Sequence, residues 1–176
     1  MSKCAIMIDG GYLDKILANE YSGTRVDYGK LGDALAGKME RLRTYYYHCM
    51  PHQSVPPSED EKKKFAAMDS FIYNLRKLPR FQFRQGKMQR IGNEYRQKRV
   101  DILMAVDLVR ISSTRQVDMA IIITGDSDLV PAVEVARDSG VVVSLYYSDK
   151  ARHDELLQAC DERHQLSPDL IKTISR

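Results

Sequence analysis

Ile121-Ile122-Ile123-Thr124-Gly125-Asp126-Ser127-Asp128-Leu129-Val130-Pro131 is the stretch on which the fold turns. An unbroken apolar run stops at Thr-Gly, and two carboxylates follow one residue apart. The same arrest occurs near the N-terminus, where Cys4-Ala5-Ile6-Met7-Ile8 gives way to Asp9-Gly10-Gly11. Strands buried on both faces read as continuous apolar runs, and open α/β sheets place their sites beyond the carboxyl ends of the strands. Two strands that end in Asp therefore predict acids meeting in one crevice. Crowded acids repel unless a cation sits among them, which points to a divalent metal.

The elements around these strands alternate. Strands are expected over 3–8, 43–49, 81–88, 119–124 and 141–147. Helices are expected over 11–20, from Asp27 to about Met39, and over 59–78, 100–111, 128–138, 152–161 and 168–174. Gly92-Asn93 offers a hairpin turn before Tyr95. This order predicts an α/β fold, a Rossmann-like three-layer α/β/α sandwich around a mostly parallel sheet. One domain is expected over 1–150, with C-terminal helices in 151–176 packed on it.

Composition narrows the class. The chain has 176 residues, 43% of them apolar and 29% charged, as in an ordinary globular protein. No apolar run approaches a membrane span, so no membrane partner is expected. Three cysteines (4, 49 and 160) form no metal-like spacing, and the N-terminus enters a strand at once. Both features point to a cytoplasmic location. The net charge is +3, yet residues 76–99 hold nine Lys or Arg against the single acid Glu94. A basic flank beside an acidic centre suits a polyanion, and the interleaved Phe81, Phe83 and Tyr95 suit unpaired bases. Phe81 and Phe83 equally fit the core face of a strand, which is the preferred reading for both.

Four acids stand out: Asp9, Asp101, Asp126 and Asp128. Asp101 opens a helix that is otherwise apolar through Val106. Asp107 follows six residues later, about 120° around the helix, so it is assigned to a supporting role. Each acid also has a structural reading. Asp9 and Asp126 would start turns with their glycines, Ser127 or Asp128 would cap the next helix, and Asp101 would suit a helix N-terminus. Capping and metal binding can coexist on one residue. Other chemistries find no support: there is no G-x-G-x-x-G, no P-loop and no G-x-S-x-G. His48, Cys49 and His52 lack a second ligand pair at zinc-site spacing.

Three segments together resemble the NYN domain family, also called LabA-like, of the PIN-like nucleases. They are I-D-G-G-Y-L at 8–13, K-R-V-D-x-x-x-A-x-D at 98–107, and T-G-D-S-D-L-V-P at 124–131. The resemblance implies Mg²⁺ or Mn²⁺ held by Asp9, Asp101, Asp126 and Asp128, and endoribonuclease activity. Thr124, Ser127 and Asp107 would support the ligands, and Arg84, Lys87, Lys98 and Arg99 would contact RNA, expected to be single-stranded. Two positions depart from the family pattern. Tyr12 stands where the family usually has Asn, next to the first acid, and Arg99 replaces the Gly of K-G-V-D. The alternative is an RNA-binding or scaffolding module of the same fold with little or no catalysis. A phosphohydrolase or toprim-like site ranks lower, because toprim sites use Glu where this chain has Asp9. Homo-oligomerisation and a protein partner are left open.

Overall fold

A computed structural model describes residues 1–176, apart from the side chain of Gln97. Six parallel strands form the central sheet: β1 (Lys3–Asp9), β2 (Glu40–His48), β3 (Phe81–Gln85), β6 (Met119–Ile123), β7 (Val142–Tyr147) and β8 (Glu162–Gln165). Their spatial order is β3-β2-β1-β6-β7-β8, and every adjacent pair is parallel. The chain builds outward from β1 in one direction, then returns beside β1 through β6 and builds outward in the other. The order therefore reverses between β1 and β6, the place where open α/β sheets leave a crevice. These are the two strands that end in Asp9 and in Thr-Gly-Asp.

Both faces of the sheet are covered, which is why the central strands show no polar alternation. Ala5, Met7, Ala120 and Ile122 point into one core, completed by α4 (Val100–Ser113), α5 (Val130–Asp138) and α6 (Asp154–Ala159). Cys4, Ile6, Ile8, Ile121 and Ile123 point into the other. That second core is completed by α1 (Gly10–Glu20), α2 (Tyr28–Ala36), α3 (Glu59–Arg76) and α7 (Pro168–Ile174). Each fully buried aliphatic side chain contributes about 1.5–3 kcal/mol. Substitutions in these strands would therefore lower stability first, before they altered a site at the sheet's end. Phe81 and Phe83 pack against the second core, as their alternation suggested.

The helix boundaries have local causes. Ser58 and Glu61 form a reciprocal capping box at the start of α3. Asp27 caps α2 through the Lys30 N–H. Pro131 sits in the first turn of α5, where its missing N–H costs nothing.

Three expectations change. The run from Phe81 to Met88 is two strands, because Gly86 separates β3 from β4 (Lys87–Ile91), which pairs antiparallel with β5 (Glu94–Lys98) as a separate ribbon. The second strand begins at Glu40 rather than Arg43. The C-terminal segment is not helical throughout: β8 joins the sheet edge between α6 and α7. All four of its residues are exposed, so no apolar period marked it as a strand. No helix among the described residues is long and apolar enough to cross a membrane.

Candidate metal centre

The site is assembled from three connections that end on one edge of the sheet. At the end of β1, the Asp9 carboxylate accepts a hydrogen bond from the Tyr12 N–H at 3.2 Å and so caps α1. Gly10 follows because a Cβ there would lie 2.6 Å from the Tyr46 ring and 2.7 Å from the His48 ring. At the end of β6, Thr124 is fully buried. Its hydroxyl donates to Asp9 at 3.3 Å and accepts from the Asp126 N–H at 3.2 Å, tying the two strand ends together. Gly125 leaves room for the Tyr12 ring, which a Cβ would approach to 2.5 Å. The Asp126 carboxylate then accepts from the Asp128 N–H at 2.9 Å and caps the short 3-10 turn Ser127–Leu129. Asp126 thus caps the 3-10 turn, while the helix that carries Pro131 starts after Leu129 with no side-chain cap, so neither Ser127 nor Asp128 caps it; Ser127 sits half-buried beside Asp126.

Asp101 arrives from α4. A crossover helix of a parallel sheet starts at the carboxyl edge of the strands and runs back along them. Its first turn is therefore delivered to the site. Asp101, Asp126 and Asp128 each offer a carboxylate oxygen, and these three atoms lie within 4.8 Å of one another. Asp101 and Asp126 are partly buried, while Asp128 is exposed. Among the described residues no cation pairs with any of the three.

Of the four acids expected at one site, three meet within 4.8 Å of one another, and Asp9 is not one of that trio. Its carboxylate accepts from the Tyr12 N–H and the Thr124 hydroxyl. Burial pushes its carboxyl above the usual range; the hydrogen bonds from Tyr12 and Thr124 hold it back, His48 lowers it, and Asp126 raises it further. His48 accepts the Cys49 N–H at Nδ1, so its Nε2 faces Asp14 at 2.8 Å as the donor.

Asp107 and Arg84 also take places that differ from the sequence reading. Asp107 lies about 9 Å further along α4, on a rise of 1.5 Å per residue. It is fully buried and bonded to the Tyr47 hydroxyl at 2.8 Å, to both ends of Arg84 at 3.0 and 3.1 Å, and to Arg110 at 3.2 Å. Its bonds reach none of the triad. Arg84 makes a bidentate pair with Asp107 while its side chain stays 31% exposed. Tyr12 is fixed as well: its hydroxyl donates to the Ala151 carbonyl at 2.7 Å and accepts from the Ser148 N–H at 3.0 Å. These bonds lead away from the carboxylates, toward the end of β7. Lys87, Lys98 and Arg99 are exposed, and Arg99 precedes α4 at φ +73°, in the left-handed region natural to glycine. The three cysteines are free and buried, and burial raises their thiols, that of Cys160 to about 12. A buried, protonated thiol makes a poor nucleophile or ligand.

The NYN domain profile matches residues 3–167, nearly the whole chain. The chain belongs to the NYN domain family. Family membership brings the PIN-like nuclease fold with it, and the match extends past β7 to include α6 and β8. A crystal structure of a protein of unknown function from Vibrio parahaemolyticus is similar over 96% of this chain and 94% of that one. Its TM-score is 0.72 at 20% identity, a likeness of fold. No curated protein matches the chain. The donor set of this NYN domain consists of carboxylate oxygens without sulfur or imidazole, which fits a hard divalent cation better than zinc or copper.

Proposed function

We propose that this NYN domain is a metal-dependent endoribonuclease of a reducing, cytoplasmic compartment. The observation that carries the reading is the meeting of Asp101, Asp126 and Asp128 within 4.8 Å at the reversal point of the sheet. Asp101, Asp126 and Asp128 would hold Mg²⁺ or Mn²⁺. A divalent ion so held supplies charge neutralisation at the phosphate and a more acidic attacking water. The chain's own residues do the rest. Thr124 fixes the distance between the two strand ends. Asp126 shapes the 3-10 turn that presents Asp128. Asp9, behind Thr124, sets the electrostatic background and restrains α1. Lys98 and Arg99, just ahead of Asp101, would neutralise the incoming backbone, which is expected to be single-stranded RNA.

Phosphodiester hydrolysis breaks one P–O bond and adds the oxygen of water to phosphorus, with a proton passing to the leaving oxygen. Replacing Asp126 removes a ligand while Asn keeps the turn capped. Asp126→Asn is expected to reduce Mn²⁺-dependent cleavage of single-stranded RNA at least about a hundredfold, beyond the typical cost of an outer-shell change. Cleavage at the wild-type rate would sink the assignment. The second reading, an RNA-binding or scaffolding module, draws on Asp9 standing outside the triad. It requires RNA binding without any affinity for Mg²⁺ or Mn²⁺.

A further inference from the structure

The β4–β5 ribbon stands apart from the six-stranded sheet and has two unlike faces. In an antiparallel pair, residues directly opposite share a face and successive residues alternate. The observed register sets Arg90 opposite Tyr95, Gln89 opposite Arg96 and Lys87 opposite Lys98. Met88, Arg90 and Tyr95 thus share one face, and Lys87, Gln89, Ile91, Glu94, Arg96 and Lys98 share the other, with Ile91 and Glu94 at its turn end and the basic residues toward its base. Contacts identify the inner face: Met88 packs against the core, and the Tyr95 ring lies 5.1 Å from that of His52. The other face shows no such contact among the described residues, and Lys87, Gln89, Arg96 and Lys98 are all exposed, although Arg90 and Tyr95 on the first face are exposed too.

That outer face is unfavourable for the free protein. Lys87 sits directly across from Lys98, and like charges in this position destabilise a ribbon. Among the described residues no acid pairs with either ammonium, and Arg96 meets only Glu94 at 3.4 Å. An anion lying along the face would reverse the repulsion. The strand β5 also leads directly into α4, so Lys98 stands three residues before Asp101 of the acidic triad.

We propose that the base of this outer face, where Lys87, Gln89, Arg96 and Lys98 lie, is an arm that holds the phosphate backbone of a single RNA strand and directs it to the acids. The polymer's identity rests on the nuclease reading above. Arg84 has no part in the arm, because Asp107 occupies it. Lys and Arg supply the charge, and the Gln89 amide adds a hydrogen-bond donor for phosphate or sugar oxygens.

The test measures binding of a fluorescein-labelled single-stranded RNA of about 20 nucleotides by anisotropy, in EDTA, across a salt series. Lys87→Gln, Arg96→Gln and Lys98→Gln combined should weaken binding at least about tenfold at low salt. The combination should also flatten the slope of log affinity against log salt by about 2, at about 0.7 per lost contact. Lys3→Gln, Lys38→Gln and Arg115→Gln combined remove the same charge near the opposite end of the sheet and should change affinity by less than roughly twofold. The double change Lys87→Arg and Lys98→Arg should retain wild-type affinity. An unchanged slope in the ribbon variant, or an equal loss in the distal control, overturns the arm. Without metal no cleavage takes part, so the arm and the nuclease reading fail separately: intact binding with no Mn²⁺-dependent cleavage removes only the latter.

Discussion

Helix α4 carries two aspartates with opposite surroundings. Asp101, in its first turn, meets Asp126 and Asp128, and among the described residues no Lys or Arg pairs with any of them. Asp107, less than two turns later, is fully buried between Tyr47, Arg84 and Arg110. The contrast separates an acid already paired within the fold from acids that meet without a paired counter-charge among the described residues. Two like charges 4 Å apart repel by about 1 kcal/mol in bulk water and about 4 kcal/mol near a protein surface. A cluster of three is held against that repulsion by the strand ends and the helix start, and a divalent ion would relieve it. At Asp107 every carboxylate lone pair of consequence already has a donor, so nothing further is needed there.

The comparison breaks most visibly if the two aspartates are exchanged in an experiment. Asp107→Ala removes the partner of two guanidiniums and a buried phenol. Breaking a buried pair costs about 3–5 kcal/mol, less here because Arg84 and Arg110 are 31% and 50% exposed. A loss of about 2–3 kcal/mol is expected, lowering Tm by roughly 5–10 °C for a chain of this size, while affinity for Mn²⁺ in the folded protein stays near wild type. Asp101→Asn should do the reverse: Mn²⁺ affinity falls at least about 100-fold, beyond the cost of losing an outer-shell partner, and the Tm of the metal-free protein holds or rises as the repulsion is relieved. Calorimetric titration and thermal melts of both variants decide the matter, and similar effects from both would erase the distinction.

A smaller effect is expected at Asp9, between the two extremes. Its carboxyl is raised chiefly by burial. A raised acid favours folding where it is protonated, and that contribution is lost as pH rises through the folded-state value. The metal-free wild type should therefore lose stability as pH climbs above the ordinary carboxylate range. Asp9→Asn keeps the cap on α1 without the charge, so it should melt higher than wild type near neutral pH and converge with it on acidification. A lower Tm for the variant at neutral pH would show that Asp9 is stabilised as an anion.

Much of this was legible in the sequence, and the omissions have physical causes. The strand-end acids, the Asp101 helix start and the alternation of elements all follow from local patterns. The meeting of Asp101 with Asp126 and Asp128 follows from topology, since a crossover helix must start at the carboxyl edge. What local pattern could not give was side-chain direction. Asp9 is turned to the Tyr12 N–H and Thr124, and it stands outside the triad. Arg84 lies in a basic stretch, yet its partner is 23 residues away on another element. Tyr12 replaces a smaller polar residue of the family pattern, and only the fold reveals Ala151 and Ser148 as its partners. Arg99 did carry a signal, because glycine in the family pattern marks a left-handed position, and φ here is +73°.

The central claim is that the uncompensated triad is a divalent-ion site. Its most direct test is calorimetric titration of the wild-type protein with Mn²⁺, beside Asp126→Asn under the same conditions. Saturable binding by the wild type that is lost or strongly weakened in the variant is the predicted result. No binding by the wild type, or equal binding by both proteins, would contradict it.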